Sequence, residues 1–308
     1  MAQLKILWGV NPFQDGSEIR RKGELFLKSL GGKPRTVTPV YVSSPMELQI
    51  ALEFSVPLQE RYRQVAEQSL KKYLSKVKGL PLRPARVIIE SSPGLAAASK
   101  ALAVHAAREK ADAVAVGTHA RSGWTRFVLG SYAESLLAFS RTPLVFLNPR
   151  ARVAGKIRKI LFATDLSPAS RKAFAFLCRF AAATGASVEV LHAVETPRHW
   201  ATTYGLLLAG SRALTIDEYL ADLRETGLRK IGAFLKIAKS AGVKALPRVE
   251  VAPRRVSDIV LKAADSDHVD MIALAAQSSR LRAGLLGSVA RDVLRWSRVP
   301  VWIWNAVR

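Results

Sequence analysis

Val128–Asn148, VLGSYAESLLAFSRTPLVFLN, returns near the end of the chain as Leu285–Asn305, LLGSVARDVLRWSRVPVWIWN, without a gap. Gly130-Ser131 aligns with Gly287-Ser288, Ser140-Arg141 with Ser297-Arg298, Pro143 with Pro300, and Asn148 with Asn305. A recurrence at this spacing is too long for a solenoid unit of 20 to 50 residues, so it marks two globular copies of one domain. The chain of 308 residues has the length of about two average domains. Residues 1–149 form the first, 150–156 a basic, small-residue linker, and 157–308 the second.

Working outward from the repeat, hydrophobic period and chain breakers predict the same element order in each copy. In the first, Leu4–Val10, Thr36–Val42, Ala85–Ile89, Asp112–Gly117 and Leu144–Leu147 read as strands. Helices over Ser17–Leu30, Gln59–Val77, Gly94–Glu109 and Phe127–Phe139 separate them. In the second, strands are expected at Ile160–Thr164, Ser187–Ala193, Val249–Val251, Asp270–Ala275 and Val301–Trp304. The helices between them cover Ser170–Thr184, Ile216–Ser240, Ser257–Ala264 and Val289–Trp296. Alternating strands and helices of these lengths specify two α/β, doubly wound, Rossmann-like domains, each a five-stranded parallel sheet with helices on both faces. Ligands of such sheets lie beyond the carboxyl ends of the strands where the winding reverses. Strands one and four end there, at Asn11 and Gly117 in the first copy and at Asp165 and Ala275 in the second.

Charge narrows the function classes less than its size suggests. Residues 1–150 carry 22 Lys and Arg against 11 acids and residues 151–308 carry 25 against 13, so +11 and +12 add to the net +23. An evenly basic surface attracts polyanions without specifying one. No RNP-type aromatic pair and no zinc-ligand spacing accompanies it. The single cysteine, Cys178, excludes an internal disulfide and reads as buried filler in the apolar run 174–183. No stretch reaches the roughly 20 apolar residues of a membrane span. A cytoplasmic protein without membrane contact is the expectation.

Chemistry concentrates after the fourth strand, in Gly117-Thr-His-Ala-Arg-Ser-Gly-Trp-Thr-Arg-Phe-Val-Leu-Gly130-Ser131. Glycines permit close backbone approach to a phosphate, and Gly130-Ser131 beside a helical turn can present amide N–H groups and a hydroxyl to an anion. This segment resembles the universal stress protein family, whose nucleotide-binding members carry G-x2-G-x9-G-(S/T) at this place. Gly117, Gly130 and Ser131 match and the nine-residue spacing is kept, with Ala120 at the second glycine. Ile160-Leu-Phe-Ala-Thr-Asp165 followed by Leu-Ser is similar to that family's first strand and its nucleotide-facing acid.

The resemblance implies flavodoxin-like domains, ATP or another adenine nucleotide (with or without Mg) as ligand in one subfamily, and dimers joined along the fifth strands. In a tandem chain Leu144–Leu147 and Val301–Trp304 would then pair within one molecule, as an internal pseudo-dimer open to further homo-oligomerisation. The cofactor-binding candidates are Gly9, Asn11, Val116, Gly117, Thr118, Ala120, Gly130, Ser131 and Tyr132. Asp165, Gly287 and Ser288 are the weaker set in the second domain.

Both copies depart from the pattern. Asn11 puts an amide where an acid is expected, and Ala120 adds a methyl where glycine allows close approach. The second copy keeps Asp165 and Gly287-Ser288 but lacks the early glycines in Ala275–Gly287. Each singled-out group also has a structural reading: the Gly-Ser pairs let a helix pack near the sheet, and Asp165 caps or turns into the next helix. Trp302 and Trp304 share one face of their strand, for packing at the copy interface or against helices. No Ser–His–Asp or Cys–His set emerges, and His105, His119, His192, His199 and His268 show no metal-ligand spacing. The expectation is a nucleotide-binding stress-response protein that is not an enzyme beyond slow ATP hydrolysis. The alternative is a nucleotide-free interaction protein with a basic surface for acidic partners. The segments 43–57 and 204–210 are lid candidates flanking the cleft.

Overall fold

The computed structural model describes residues 4–31, 35–44, 56–92, 94–118, 131–196, 216–276 and 286–305. The strands are β1 Leu4–Gly9, β2 Arg35–Ser43, β3 Arg86–Ile89, β4 Ala113–Gly117 and β5 Leu144–Leu147, then β6 Lys159–Ala163, β7 Ser187–Glu195, β8 Ala245–Ala252, β9 Met271–Ala275 and β10 Val301–Trp304. The helices are α1 Ser17–Ser29, α2 Val56–Leu74, α3 Leu95–Arg108, α4 Ser131–Phe139, α5 Pro168–Thr184, α6 Ile216–Ser240, α7 Val256–Ser266 and α8 Ser288–Trp296.

All ten strands join one sheet in the order β3-β2-β1-β4-β5-β10-β9-β6-β7-β8. Each half is parallel, with β1 between β2 and β4 and β6 between β7 and β9. The halves meet where β5 and β10 pair antiparallel, in the register Leu144↔Ile303, Val145↔Trp302 and Phe146↔Val301. Alternation along the strands sends Ile6, Trp8, Ile160, Phe162, Trp302 and Trp304 to one face, and Leu7, Leu161, Val301 and Ile303 to the other. Helices cover both faces, so these strands are buried on each side and read as nearly continuous apolar runs.

Trp302 is fully buried. Trp304 satisfies both readings of its position: it stacks on Phe176 of α5 with ring centroids 4.2 Å apart, and its Nε1 donates to the Arg141 carbonyl across the β5–β10 seam at 2.8 Å.

Most elements shift by one or two residues from their predicted bounds, and the larger differences, at α2 and β8, have physical reasons. α2 starts at Val56, before the expected Gln59, because Pro57 is harmless in a first turn whose N–H groups have no intrahelical partner. It stops at Leu74, short of Val77, in a turn over 75–76, and the left-handed Gly79 (φ 68°) follows. β8 spans eight residues against the expected 249–251, because Pro247 breaks the apolar pattern. An edge strand tolerates proline, since one of its sides has no ladder to lose. α4 begins at Ser131, and the expected start at Phe127 lies outside the described residues.

Candidate functional site

The switch point of the first half is a cleft enclosing about 640 Å³, mouth included, lined by Gly9, Val10, Asn11, Gln14, Asp15, Val40, Tyr41, Val42, Leu102, Val116, Gly117 and Tyr132. It opens at the carboxyl ends of β1 and β4, with the start of α4 beside it. Gly9, Asn11, Val116, Gly117 and Tyr132 of the predicted set therefore meet in one place. Thr118 does not line it; this residue is buried, its N–H donating to the Leu147 carbonyl at 2.9 Å. Ser131 is the first residue of α4. Ala120 and Gly130, with His119, Arg121, Gly123 and Arg126, lie outside the described residues, as do most of segment 43–57 and all of 204–210.

The glycines have a packing reason. A Cβ at Gly117 would stand 2.3 Å from Cγ2 of Ile19, and one at Gly9 would stand 2.8 Å from Cγ1 of Val116. Gly117 thus lets α1 close on the end of β4, whatever its role toward a ligand. Asn11 is engaged locally: its Oδ1 accepts from the N–H groups of Phe13 and Gln14, both at 3.1 Å. This is an Asx turn that carries the chain from β1 into α1.

Asp15 is the cleft residue that sequence reasoning missed. Its Oδ2 accepts from the Asn11 N–H at 2.8 Å and from the Tyr73 hydroxyl at 3.2 Å. A carboxylate therefore sits in the cleft although the end of β1 supplies an amide. Burial, reinforced by the Asp15 charge and hydrogen bond, raises the Tyr73 phenol above its ordinary value, so Tyr73 remains a donor to Asp15. The only signal in the sequence was an acid four residues after the position where one was expected. Tyr132, half-buried, ties α4 to α3 through its carbonyl, which accepts from Ser99 Oγ at 3.2 Å.

The second half has a larger cleft in the corresponding place, about 1160 Å³ with its mouth, whose lining includes Thr164, Asp165, His192, Ala275, Gly287 and Ser288. Asp165 there performs the turn: Oδ1 accepts from the Ser167 N–H at 3.1 Å and from Ser170 Oγ at 2.7 Å. Ser167 in turn caps α5 by accepting from the Ser170 N–H at 3.1 Å, a favoured N-terminal arrangement. Nδ1 of His192 lies 3.0 Å from the Thr164 carbonyl, so it carries the proton and donates. Gly287 donates its N–H to the Ala276 carbonyl at 3.1 Å, holding the start of α8 against the end of β9. Among the described residues no group of three or more His, Cys, Asp or Glu could hold a metal ion, and no helix is long and apolar enough to cross a membrane.

A model of the Universal stress protein family matches residues 15–147 and again residues 156–305. The chain belongs to the universal stress protein family. The tandem arrangement has a counterpart among solved structures. A universal stress protein from Archaeoglobus fulgidus DSM 4304 is similar over 98% of this chain and 98% of its own, at 17% identity and a TM-score of 0.62. A functionally unknown protein from Pseudomonas aeruginosa PAO1 is similar over 99% of this chain and 93% of its own, at 13% identity and a TM-score of 0.55. A universal stress protein from Archaeoglobus fulgidus in complex with dAMP covers 47% of this chain and 96% of its own, at 20% identity and a TM-score of 0.33. No curated protein matches the chain. The two long likenesses establish the fold of a tandem universal stress protein, two α/β domains on a mostly parallel sheet.

Proposed function

We propose that the first universal stress domain binds an adenine nucleotide, ATP with or without Mg, as a structural or regulatory ligand in a stress response. The observation that carries this reading is the cleft at the ends of β1 and β4, where Gly9, Asn11, Val116, Gly117 and Tyr132 converge in front of α4. Gly117 and the Gly130-Ser131 pair keep the spacing of the family's phosphate loop, and the N-terminus of α4 at Ser131 favours negative charge. Thr118 and Ala120 complete the loop in this reading. Asp15 takes over the role of the acid absent at Asn11, as the acceptor for ribose hydroxyls or the adenine amine. Asp165, Gly287 and Ser288 form the second, weaker site. In this reading the ligand is held rather than turned over. The β5–β10 seam joins residues 1–149 to 157–308 as a permanent internal dimer, with 150–156 as the linker.

Isothermal calorimetry of the full chain with ATP-Mg, AMP and dAMP tests the proposal. Saturable binding whose tighter site is lost in Asp15→Ala is the expected result; absence of heat and of any thermal shift at millimolar nucleotide rejects it. A second reading, a nucleotide-free interaction protein with a basic surface for acidic partners, is favoured by a specific observation. The space above Gly117 is taken by Ile19, and the Asn11 oxygen is engaged by its own turn. Failure of the calorimetric test with an intact fold selects that reading.

A further inference from the structure

The seam between the halves contains a cavity that neither cleft uses. It encloses about 570 Å³, mouth included, lined by Lys110, Ala111, Asp112, Arg141, Thr142, Pro143, Phe176, Arg179 and Phe180. The first six come from the turn before β4 and the turn before β5, and the last three from α5 of the other half.

The pseudo-symmetry of the chain gives this cavity a twin. Lys110 and His268 hold the same left-handed backbone, at φ 52° and 50°. Asp112 and Asp270 make the same hydrogen bond, accepting from the N–H groups of Lys5 and Lys159. Arg298 aligns with Arg141, and Lys22 of α1 stands where α5 has Phe176. The twin is covered by the linker: Ala151 is buried, its carbonyl accepts from Lys22 Nζ at 2.8 Å, and the Arg152 N–H donates to the Arg298 carbonyl at 2.6 Å. One chain has one linker, so one depression is covered and the other stays open.

The open member is also finished differently. Trp304 Nε1 donates to the Arg141 carbonyl, the group whose twin receives the linker backbone, so a second extended peptide would have to share that acceptor. What remains directed at the cavity is charge. Lys110 and Arg141 are exposed and their side chains have no hydrogen bond or ion pair among the described residues. Arg179 lies over the Phe176 ring at 5.7 Å and reaches only to 3.8 Å from Asp112 Oδ1. Three cations against one carboxylate leave two positive charges in a concave site, and that carboxylate is already an acceptor for the Lys5 N–H.

We propose that the seam cavity binds a phosphate dianion, free or as the monoester of a small molecule, held by Lys110, Arg141 and Arg179. The charge of a phosphate near neutral pH, about −1.5 to −2, matches the lining. Two guanidinium groups offer the forked donors that phosphate oxygens accept. The site exists only where the two halves meet, so its occupancy reports on and strengthens the seam.

Calorimetry of the full chain with sodium phosphate, at ionic strength held constant with chloride, tests this, with glycerol phosphate in a parallel arm. The expected result is saturable binding of one ion that weakens at least tenfold in Lys110→Asn/Arg141→Gln and not in the distant, exposed Arg83→Gln. Asn at 110 tolerates the left-handed backbone, and circular dichroism verifies that the variant is folded. Binding should also fall between about pH 8 and pH 5.5, as the phosphate loses its second charge. Binding of inorganic phosphate alone assigns the free ion, and binding of both assigns the monoester class as well. Absence of saturable binding, an equal loss in Arg83→Gln, or full retention in the double variant, as for phosphate held in the first cleft, overturns the proposal.

Discussion

Replacing Gly117 by alanine tests why the switch point carries a glycine. The added methyl would lie 2.3 Å from Ile19 Cγ2, whereas ordinary contact starts at 3.4 Å, a shortfall of 3.4 − 2.3 = 1.1 Å. Ile19 is nearly buried on α1, so relief requires a shift of the helix or an unfavourable rotamer. Overpacking of this kind destabilises by about 1–3 kcal/mol, offset by the ~0.4–1 kcal/mol that alanine contributes by restricting the unfolded chain. A net loss of about 1–2 kcal/mol is expected from urea denaturation followed by circular dichroism.

The same geometry names the rescue. Ile19→Leu removes the Cγ2 branch at nearly constant volume, a swap that by itself costs less than about 1.5 kcal/mol. The double variant Gly117→Ala/Ile19→Leu should recover about 1 kcal/mol relative to Gly117→Ala, a coupling that a double-mutant cycle measures directly. Because the methyl points at α1, the double variant is also expected to keep the parent's nucleotide affinity. A Gly117→Ala protein as stable as the parent, or a cycle without coupling, refutes the packing argument. Lost nucleotide binding in a stable double variant would assign the glycine to the ligand.

Three further outcomes follow from the geometry. Trp304→Phe removes the 2.8 Å bond to the Arg141 carbonyl across the seam and should lower stability in urea by about 1 kcal/mol; no change would mean that the bond contributes nothing to joining the halves. Cys178 is fully buried and burial pushes its thiol up to about 12, so a disulfide reagent at about pH 8 should label it only as the protein unfolds. Burial, helped by Arg86 and Arg108 and opposed by Glu109, lowers the His105 imidazole below its ordinary value. The fold therefore prefers the neutral ring: its contribution is complete above the unfolded value near 6.5 and is lost as pH falls through the folded one. His105→Gln should remove that part of the pH dependence of unfolding.

Much of this molecule was legible in its sequence because local chemistry and global fold agree in it. The period of β1, β4 and β6, the breakers after α1 and α5, and the repeated Gly-Ser and Ser-Arg-x-Pro positions each specify an element without reference to its neighbours. Where a local rule was overridden, the cause was position in the sheet, as for Pro247 in β8, which is tolerable only at an edge. The switch-point rule names Asn11 and Gly117, and the structure brings Gly9 and Tyr132 beside them in one cleft. Asp15 was not legible, because its place in the cleft depends on the Asx turn of Asn11 and on Tyr73, which is 58 residues away in the chain.

Two α/β domains and the switch point of each sheet could be read from the chain alone, since period, punctuation and repetition are properties of a chain. How the halves are finished against one another depends on tertiary contacts. In the structure Ile19 fills the space above Gly117, Asp165 serves its own helix, and the linker covers one of two related depressions and leaves the other open. Those outcomes depend on distances between residues far apart in sequence, and a single linker on a pseudo-symmetric sheet must make the two sides unequal.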